Sequence, residues 1–175
     1  MKYIFETEYN LRGLTAMAKA LRKTVRKKRS KRSHFLGWII VALSLLLVFA
    51  SKESHLTSKE IVTLIAGAAI VITFIFEDKL NGHIAQKRML KGTEKSTAVF
   101  DEENTETFVS QTQAGKTEFY YKNIVAVAET KEYFVFLLSA NHAQLYDKAG
   151  LTGGTIEEFK IFINETTGKP VVYIK

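Results

Sequence analysis

FLGWIIVALSLLLVFA, residues 35–50, and IVTLIAGAAIVITFIF, residues 61–76, decide the architecture: two uncharged apolar runs of 16 residues each, separated by ten mostly polar ones. As helix, a run of that length covers about 24 Å, slightly under the roughly 30 Å of bilayer hydrocarbon. Flanking residues therefore complete the span: Lys52, Lys59 and Lys79 can snorkel, and His34, Trp38 and Thr57 suit the interfacial zones. A charge near the middle of a spanning helix costs about 2.5 to 3.5 kcal/mol, and neither run carries one. A hairpin buried in a small soluble protein would need a polar stripe to face water, yet Thr63 and Thr73 are the only polar side chains of the second run. A cleaved signal peptide fits poorly, because 34 residues precede Phe35, far more than a basic n-region. The small residues Ala66, Gly67, Ala68 and Ala69 let the second run pack closely on the first, which makes the glycine a packing contact rather than a hinge.

The charge distribution orients the hairpin. Residues 1–34 hold 11 Lys/Arg against 2 acids, whereas residues 35–175 hold 14 against 16, so the net charge of +7 belongs to one segment. That distribution speaks against a chain-wide nucleic-acid surface. Arg22, Lys23, Arg26, Lys27, Lys28, Arg29, Lys31 and Arg32 crowd before the first run, while Lys52 and Lys59 between the runs are offset by Glu53 and Glu60. The bias of Lys and Arg toward the cytoplasmic side places the N-terminus inside and leaves Ser51 to Glu60 as the extracytoplasmic segment. Lys79, Lys87, Arg88, Lys91 and Lys95 follow the second run and agree with a return to the cytoplasm. The expected localisation is the cell membrane, multi-pass with two helices, both termini cytoplasmic.

Upstream, Leu11, Leu14, Ala18, Leu21 and Val25 fall at helical spacing with Arg12, Lys19, Arg22, Lys23 and Arg26 between them. Residues 11–32 are thus expected as one basic amphipathic helix on the inner leaflet, where each Lys or Arg adds up to about 1 kcal/mol. The eight cations from Arg22 to Arg32 are the candidate membrane-surface residues, and membrane lipids the expected partner. A topology signal without regulated binding is the plainer alternative. Nucleic acid is not an expected partner, since no aromatics interleave with these charges to stack bases.

From Ser96 the apolar period changes to two. Segments 96–100, 105–112, 117–121, 124–130, 133–138 and 143–146 are rich in β-branched and aromatic residues and are divided by turn residues, which predicts short antiparallel strands. Ala114, Gly115 and Lys116 suit a hairpin loop. A helix is predicted from Ile156 to about Glu165, opened by the capping box of Thr155 and Glu158. Its apolar face, Ile156, Phe159, Phe162 and Ile163, suits the open end of a small barrel.

Candidate chemistry is sparse. There is no cysteine, so disulfides, thiolate metal sites and cysteine nucleophiles are excluded. His34, His55, His83 and His142 show no metal-ligand spacing. Asp101, Glu102, Glu103 and Glu106 form an acidic cluster best explained as a solvated turn. Gly150, Gly153, Gly154 and Thr155 precede a helix, as an anion-binding loop would, but lack a Walker lysine pattern. No catalytic residue, metal or cofactor is expected.

Residues 119–163 carry a more specific pattern, FYYKNIVAVAETKEYFVFLL followed by AQLYDKAGLTGGTIEEFKIFI. Through Tyr121, Ile124, Glu129, Thr130, Tyr133, Phe134, Lys148, Gly154 and Phe159 this stretch resembles the YcxB-like family of bacterial membrane proteins. The order of elements, N-terminal strand and helix, two membrane helices, then a C-terminal domain, follows that family too. Family members usually carry a proline before the matching lysine, and Asp147 stands there in this chain. The resemblance implies a pleckstrin-homology-like barrel capped by its terminal helix and brings no established activity.

The expected fold class is therefore an α+β membrane protein. It comprises an N-terminal strand and basic amphipathic helix (1–34), a two-helix transmembrane hairpin (35–76), a linker (77–95) and an antiparallel pleckstrin-homology-like β-barrel capped by a helix (96–175). The expected function is a non-enzymatic, membrane-anchored interaction or regulatory module that binds a protein or lipid partner at the inner leaflet. Two alternatives stand beside it: an immunity protein against a membrane-acting toxin, and a lipid-headgroup-binding domain. Fold alone does not choose among them.

Overall fold

The computed structural model describes residues 1–50 and 57–175. Lys52, Glu53, Ser54 and His55, and with them most of the expected extracytoplasmic segment, lie outside the described residues.

The chain opens with strand β1 (Lys2–Glu8), which turns Tyr3, Phe5 and Thr7 inward. Helix α1 (Leu11–Lys23) follows, started by Asn10, whose side chain accepts from the Gly13 N–H at 2.9 Å. After a turn at Thr24 to Arg26 comes α2 (Lys27–Ala50), then α3 (Ser58–Arg88), which opens on a capping box of Thr57 and Glu60. At about 1.5 Å per residue these helices are about 36 and 46 Å long. Both are long and apolar enough to cross a membrane, and their side chains are bare: Phe49 is 82% exposed and Leu47 69%.

Two expectations are corrected here. The single basic helix over 11–32 is two helices, because Thr24 leaves helical geometry (φ −113°, ψ −97°) and its hydroxyl bonds back to the Ala20 carbonyl. Lys27 to Arg32 are consequently the first turns of α2 itself. The stretch 77–88, expected as linker, is a continuation of α3, held helical by its packing on α1.

The remaining strands are β2 (Lys95–Asp101), β3 (Thr107–Thr112), β4 (Gly115–Tyr120), β5 (Ala126–Glu129), β6 (Tyr133–Leu137), β7 (Ala143–Asp147), β8 (Leu151–Thr152) and β9 (Val171–Tyr173). Helix α4 (Ile156–Thr167) lies between β8 and β9, with the Thr155 and Glu158 capping box in place. The six expected strands are all present, their ends displaced by no more than two residues. The two shortest, β8 and β9, were not expected, since two or three residues show no period.

Five strands form one sheet in the order β4-β3-β2-β1-β8 and four form another in the order β7-β6-β5-β9. Among the described residues the strands do not close into a single barrel. The pairing of β5 with β9 is parallel, against the antiparallel expectation, because α4 carries the chain back before β9 begins. β1 pairs with β2 along its whole length, from Lys2 opposite Asp101 to Glu8 opposite Lys95. The N-terminal strand therefore belongs to the same sheet as the C-terminal strands, and the helical hairpin is an excursion between two sheet neighbours.

Phe159 of α4 is wedged between the sheets, fully buried, with ring centroids 4.6 Å from Phe5, 5.1 Å from Phe100 and 5.3 Å from Tyr3 and Phe134. Burial of such a ring contributes about 1.5 to 3 kcal/mol, and its aromatic contacts add about 0.5 to 1.5 kcal/mol. A second core joins Ala20 and Leu21 of α1 to Val135, Leu137 and Leu145 of the β7-β6-β5-β9 sheet. On its other side α1 meets α3 at Gly82, where a Cβ would stand 2.7 Å from Thr15 Oγ1. Between α2 and α3, Gly67 is a packing contact beside Ser44, and Gly37 makes room for the Phe74 ring.

Candidate functional site

The eight basic residues divide into two groups. Arg22, Lys23 and Arg26 are engaged by the protein. The Arg22 guanidinium donates to both carboxylate oxygens of Asp78, at 2.7 and 2.6 Å, and lies 3.7 Å from Glu77. Its hydrogen bonds to Asp78 raise its pKa, outweighing partial burial. Lys23 Nζ donates to the carbonyl of Lys175 at 3.0 Å, and Arg26 donates to the Ala140 carbonyl and to Asn141 Oδ1 at 3.0 Å. Lys27, Lys28, Arg29, Lys31 and Arg32 make no ion pair among the described residues. These five form a cationic collar on the first turns of α2, immediately before its apolar run.

Acidic residues at the start of the α3 extension complete the junction. Glu77 lies 3.7 Å from the Arg22 guanidinium and 2.8 Å from His34 Nε2, so α1, α2 and α3 meet in one polar cluster at the end of the apolar runs. Between the helices a cavity of about 380 Å³ is lined by Arg22, Arg26 and Arg29, with Ser30, Ser33 and Asn81 among its other walls.

The other candidates lie elsewhere in the fold. His83 is exposed and His142 pairs with Gln144; no metal-holding group of His, Asp and Glu occurs among the described residues. The acidic cluster clamps the N-terminus: Glu102 takes the terminal ammonium at 3.0 Å and the Tyr3 hydroxyl at 2.9 Å, and Asp101 takes Lys2 at 3.0 Å. The hydrogen bond from the ammonium holds the Glu102 carboxyl below its usual range, and that from Lys2 does the same for Asp101. The glycine-rich stretch serves close backbone approach. A Cβ on Gly150 would stand 2.0 Å from the Glu6 carbonyl oxygen, and one on Gly153 (φ +83°) 2.0 Å from that of Lys2.

Residues that carry the family resemblance converge on a bridge. Glu129, 10% exposed, accepts from Lys148 Nζ and from Lys160 Nζ at 3.0 Å, and Lys148 also donates to the Thr130 carbonyl at 2.8 Å. Thr130 Oγ1 accepts from the Tyr133 N–H at 3.0 Å. Burial pushes the Glu129 carboxyl up, but the two lysines outweigh it and hold the pKa below the usual range. Asp147 caps the following turn, accepting from Ala149 N at 2.9 Å, while its own N–H donates to Thr7 Oγ1 at 3.0 Å.

One feature escaped sequence inspection. A cavity of about 500 Å³, within the usual size of ligand pockets, lies between the β3–β4 hairpin, the start of β7 and the facing ends of α1 and α3. Ser96, Ser110, Thr112 and Thr117 line one wall, Leu14, Met17 and Met89 another. Ser96 Oγ is buried there without a hydrogen-bond partner. The signal was present: Ser96 and Ser110 occupy buried, inward positions of β2 and β3 where a filled core would carry large apolar residues.

No curated protein and no solved structure matches the chain. The family whose description is YcxB-like protein matches residues 104–163, a stretch that begins just before β3 and ends within α4. The bridge from Glu129 to Lys148 and Lys160, the turn at Asp147 and the wedge Phe159 all fall within the stretch that matches this family.

Proposed function

We propose that the chain is a membrane-anchored, non-enzymatic interaction or regulatory module, which crosses the bilayer twice and holds its sheet domain at the cytoplasmic face to bind a protein or lipid partner. The observation that carries this is the continuity of α2 and α3: bare apolar surface over the runs 35–50 and 61–76, flanked by a cationic collar on α2 and, on α3, by packing against α1, which itself lies on the β7-β6-β5-β9 sheet. In water that apolar surface would be unfavourable at about 25 cal/mol for each Å², and in lipid it is matched. The collar supports this direction, because Lys and Arg prefer the cytoplasmic side. The two sheets with α4 wedged at one end accord with a pleckstrin-homology-like arrangement, and tethering raises the effective concentration of such a domain near membrane partners.

The chain lacks cysteine, so single engineered thiols report topology cleanly. Ser54→Cys is expected to react with an impermeant thiol reagent added outside intact cells, and Glu103→Cys only after lysis. Labelling of Glu103→Cys in intact cells, or release of the chain from membranes by alkaline wash, overturns the proposal.

A further inference from the structure

We infer that the cavity among the cytoplasmic ends of α1, α2 and α3 is a binding site for the phosphate of one anionic phospholipid. The inference rests on the membrane reading above and goes beyond it by naming a site and a ligand class.

Depth is the first argument. Ser33 stands two residues before Phe35 and Arg29 six, so the cavity wall on α2 spans about 3 to 9 Å beyond the edge of the apolar run. On α3, Asn81 stands five residues after Phe76, about 7.5 Å beyond the same edge. Headgroups occupy about 5 to 7 Å on each side of the hydrocarbon. The cavity therefore opens at the level where lipid phosphates lie.

Its chemistry is the second. Three guanidiniums and one carboxylate, Glu77, line the cavity. Asp78, outside the lining, pairs Arg22, and Glu77 is engaged by His34 and Arg22, which leaves Arg26 and Arg29 without a carboxylate partner among the described residues. Arg22 is oriented by Asp78 and Arg26 by the Ala140 carbonyl and Asn141, so their remaining N–H groups are preset. Arg29 has no hydrogen bond or ion pair among the described residues and is free to close on a ligand. Guanidinium forks match phosphate oxygens in pairs, and the hydroxyls of Ser30 and Ser33 supply further donors. A diffuse attraction to an anionic surface would need only the exposed collar. A cavity that gathers arginines from two helices and the intervening turn selects a single headgroup.

The test is a titration of the full chain in detergent micelles, followed by native mass spectrometry, with phosphatidylglycerol as the probe and phosphatidylcholine as the neutral comparison. One retained phosphatidylglycerol is expected, with Arg29→Gln weakening its binding about fivefold and Lys31→Gln, an equal loss of charge outside the cavity, changing it by less than about twofold. Arg29→Gln alters an unpaired, exposed side chain, and unchanged circular dichroism will show that its fold is intact. Equal weakening by both substitutions, equal retention of phosphatidylcholine, or displacement of the lipid by an equal concentration of inorganic phosphate would each overturn the inference, the last by assigning the site to free phosphate. Failure of the membrane reading appears elsewhere, as alkaline release of the chain.

Discussion

Asp78 grips the Arg22 guanidinium through both carboxylate oxygens, which ties α1 to α3 two residues beyond the second apolar run. The side chains are 26% and 16% exposed, so solvent screens the pair only in part. Bidentate geometry makes this more than a surface ion pair. Asp78→Asn keeps one acceptor and loses the charge, and a loss of about 1 to 2 kcal/mol is expected, read as a lower Tm of the full chain in micelles. Combined with Arg22→Gln, the loss should fall short of the sum of the two single effects by at least about 0.5 kcal/mol. Strict additivity would mean that the bond between them contributes nothing.

The Glu129 bridge gives a pH dependence of definite sign. Its folded pKa lies below the unfolded value of about 4.3, so the stabilisation is complete above the unfolded pKa and is lost as pH falls through the folded one. Glu129→Gln leaves Lys148, 15% exposed, without its anion. A loss of about 2 to 3 kcal/mol at pH 7 is expected, less than for a fully buried pair because Lys160 is 37% exposed. Unfolding midpoints in urea from pH 7 to pH 3 check this: the gap between wild type and variant should narrow below about pH 4. A gap constant across that range would remove the bridge from the acid response.

Local signals were legible in the sequence because their causes are local. The Thr155 and Glu158 box, the alternation through 96–146 and the two apolar runs each follow from residues close together in the chain, and all have their counterparts in the structure. What sequence inspection missed depends on distant partners. Nothing near Lys2 announces Asp101 as its neighbour, and Arg22 looks like any other member of a basic run until Asp78 arrives from 56 residues away. The turn at Thr24 likewise overrides an apolar period that continues to Val25, because α1 follows the sheet while α2 follows the hairpin.

Asp147 stands where the resembling family usually has proline, and the geometry says how much that matters. Its φ of −78° suits proline, and the preceding residue, Tyr146, is in a strand, as a residue before proline prefers. Asp147→Pro removes the N–H that donates to Thr7 and the carboxylate that caps Ala149, together worth about 1 to 2 kcal/mol. Restriction of the unfolded chain returns about 0.4 to 1 kcal/mol. The expected outcome is a folded protein destabilised by about 1 kcal/mol in urea titration. Loss of folding would show that the turn depends on the aspartate far more than its two bonds imply.

Gly82 separates packing from helix propensity in one substitution. In the interior of an exposed helix, Gly→Ala stabilises by up to about 1 kcal/mol. At Gly82 the added Cβ would lie 2.7 Å from Thr15 Oγ1, 3.0 Å from Thr15 N and 3.1 Å from its Cα. The hydroxyl is held by its bond to the Leu11 carbonyl, and the other two atoms are backbone, so α1 and α3 must move apart. Gly82→Ala is therefore expected to lower Tm in micelles, with overpacking of about 1 to 3 kcal/mol outweighing the propensity gain. Thr15→Ala in the same chain should recover only part of it, since the backbone contacts remain. Gly67 of the same helix is the internal comparison: its Cβ would meet Ser44 Cβ at an ordinary 3.9 Å. Gly67→Ala should leave Tm unchanged or raise it, and a fall as large as that of Gly82→Ala would mean that the α1–α3 contact is not the sensitive one.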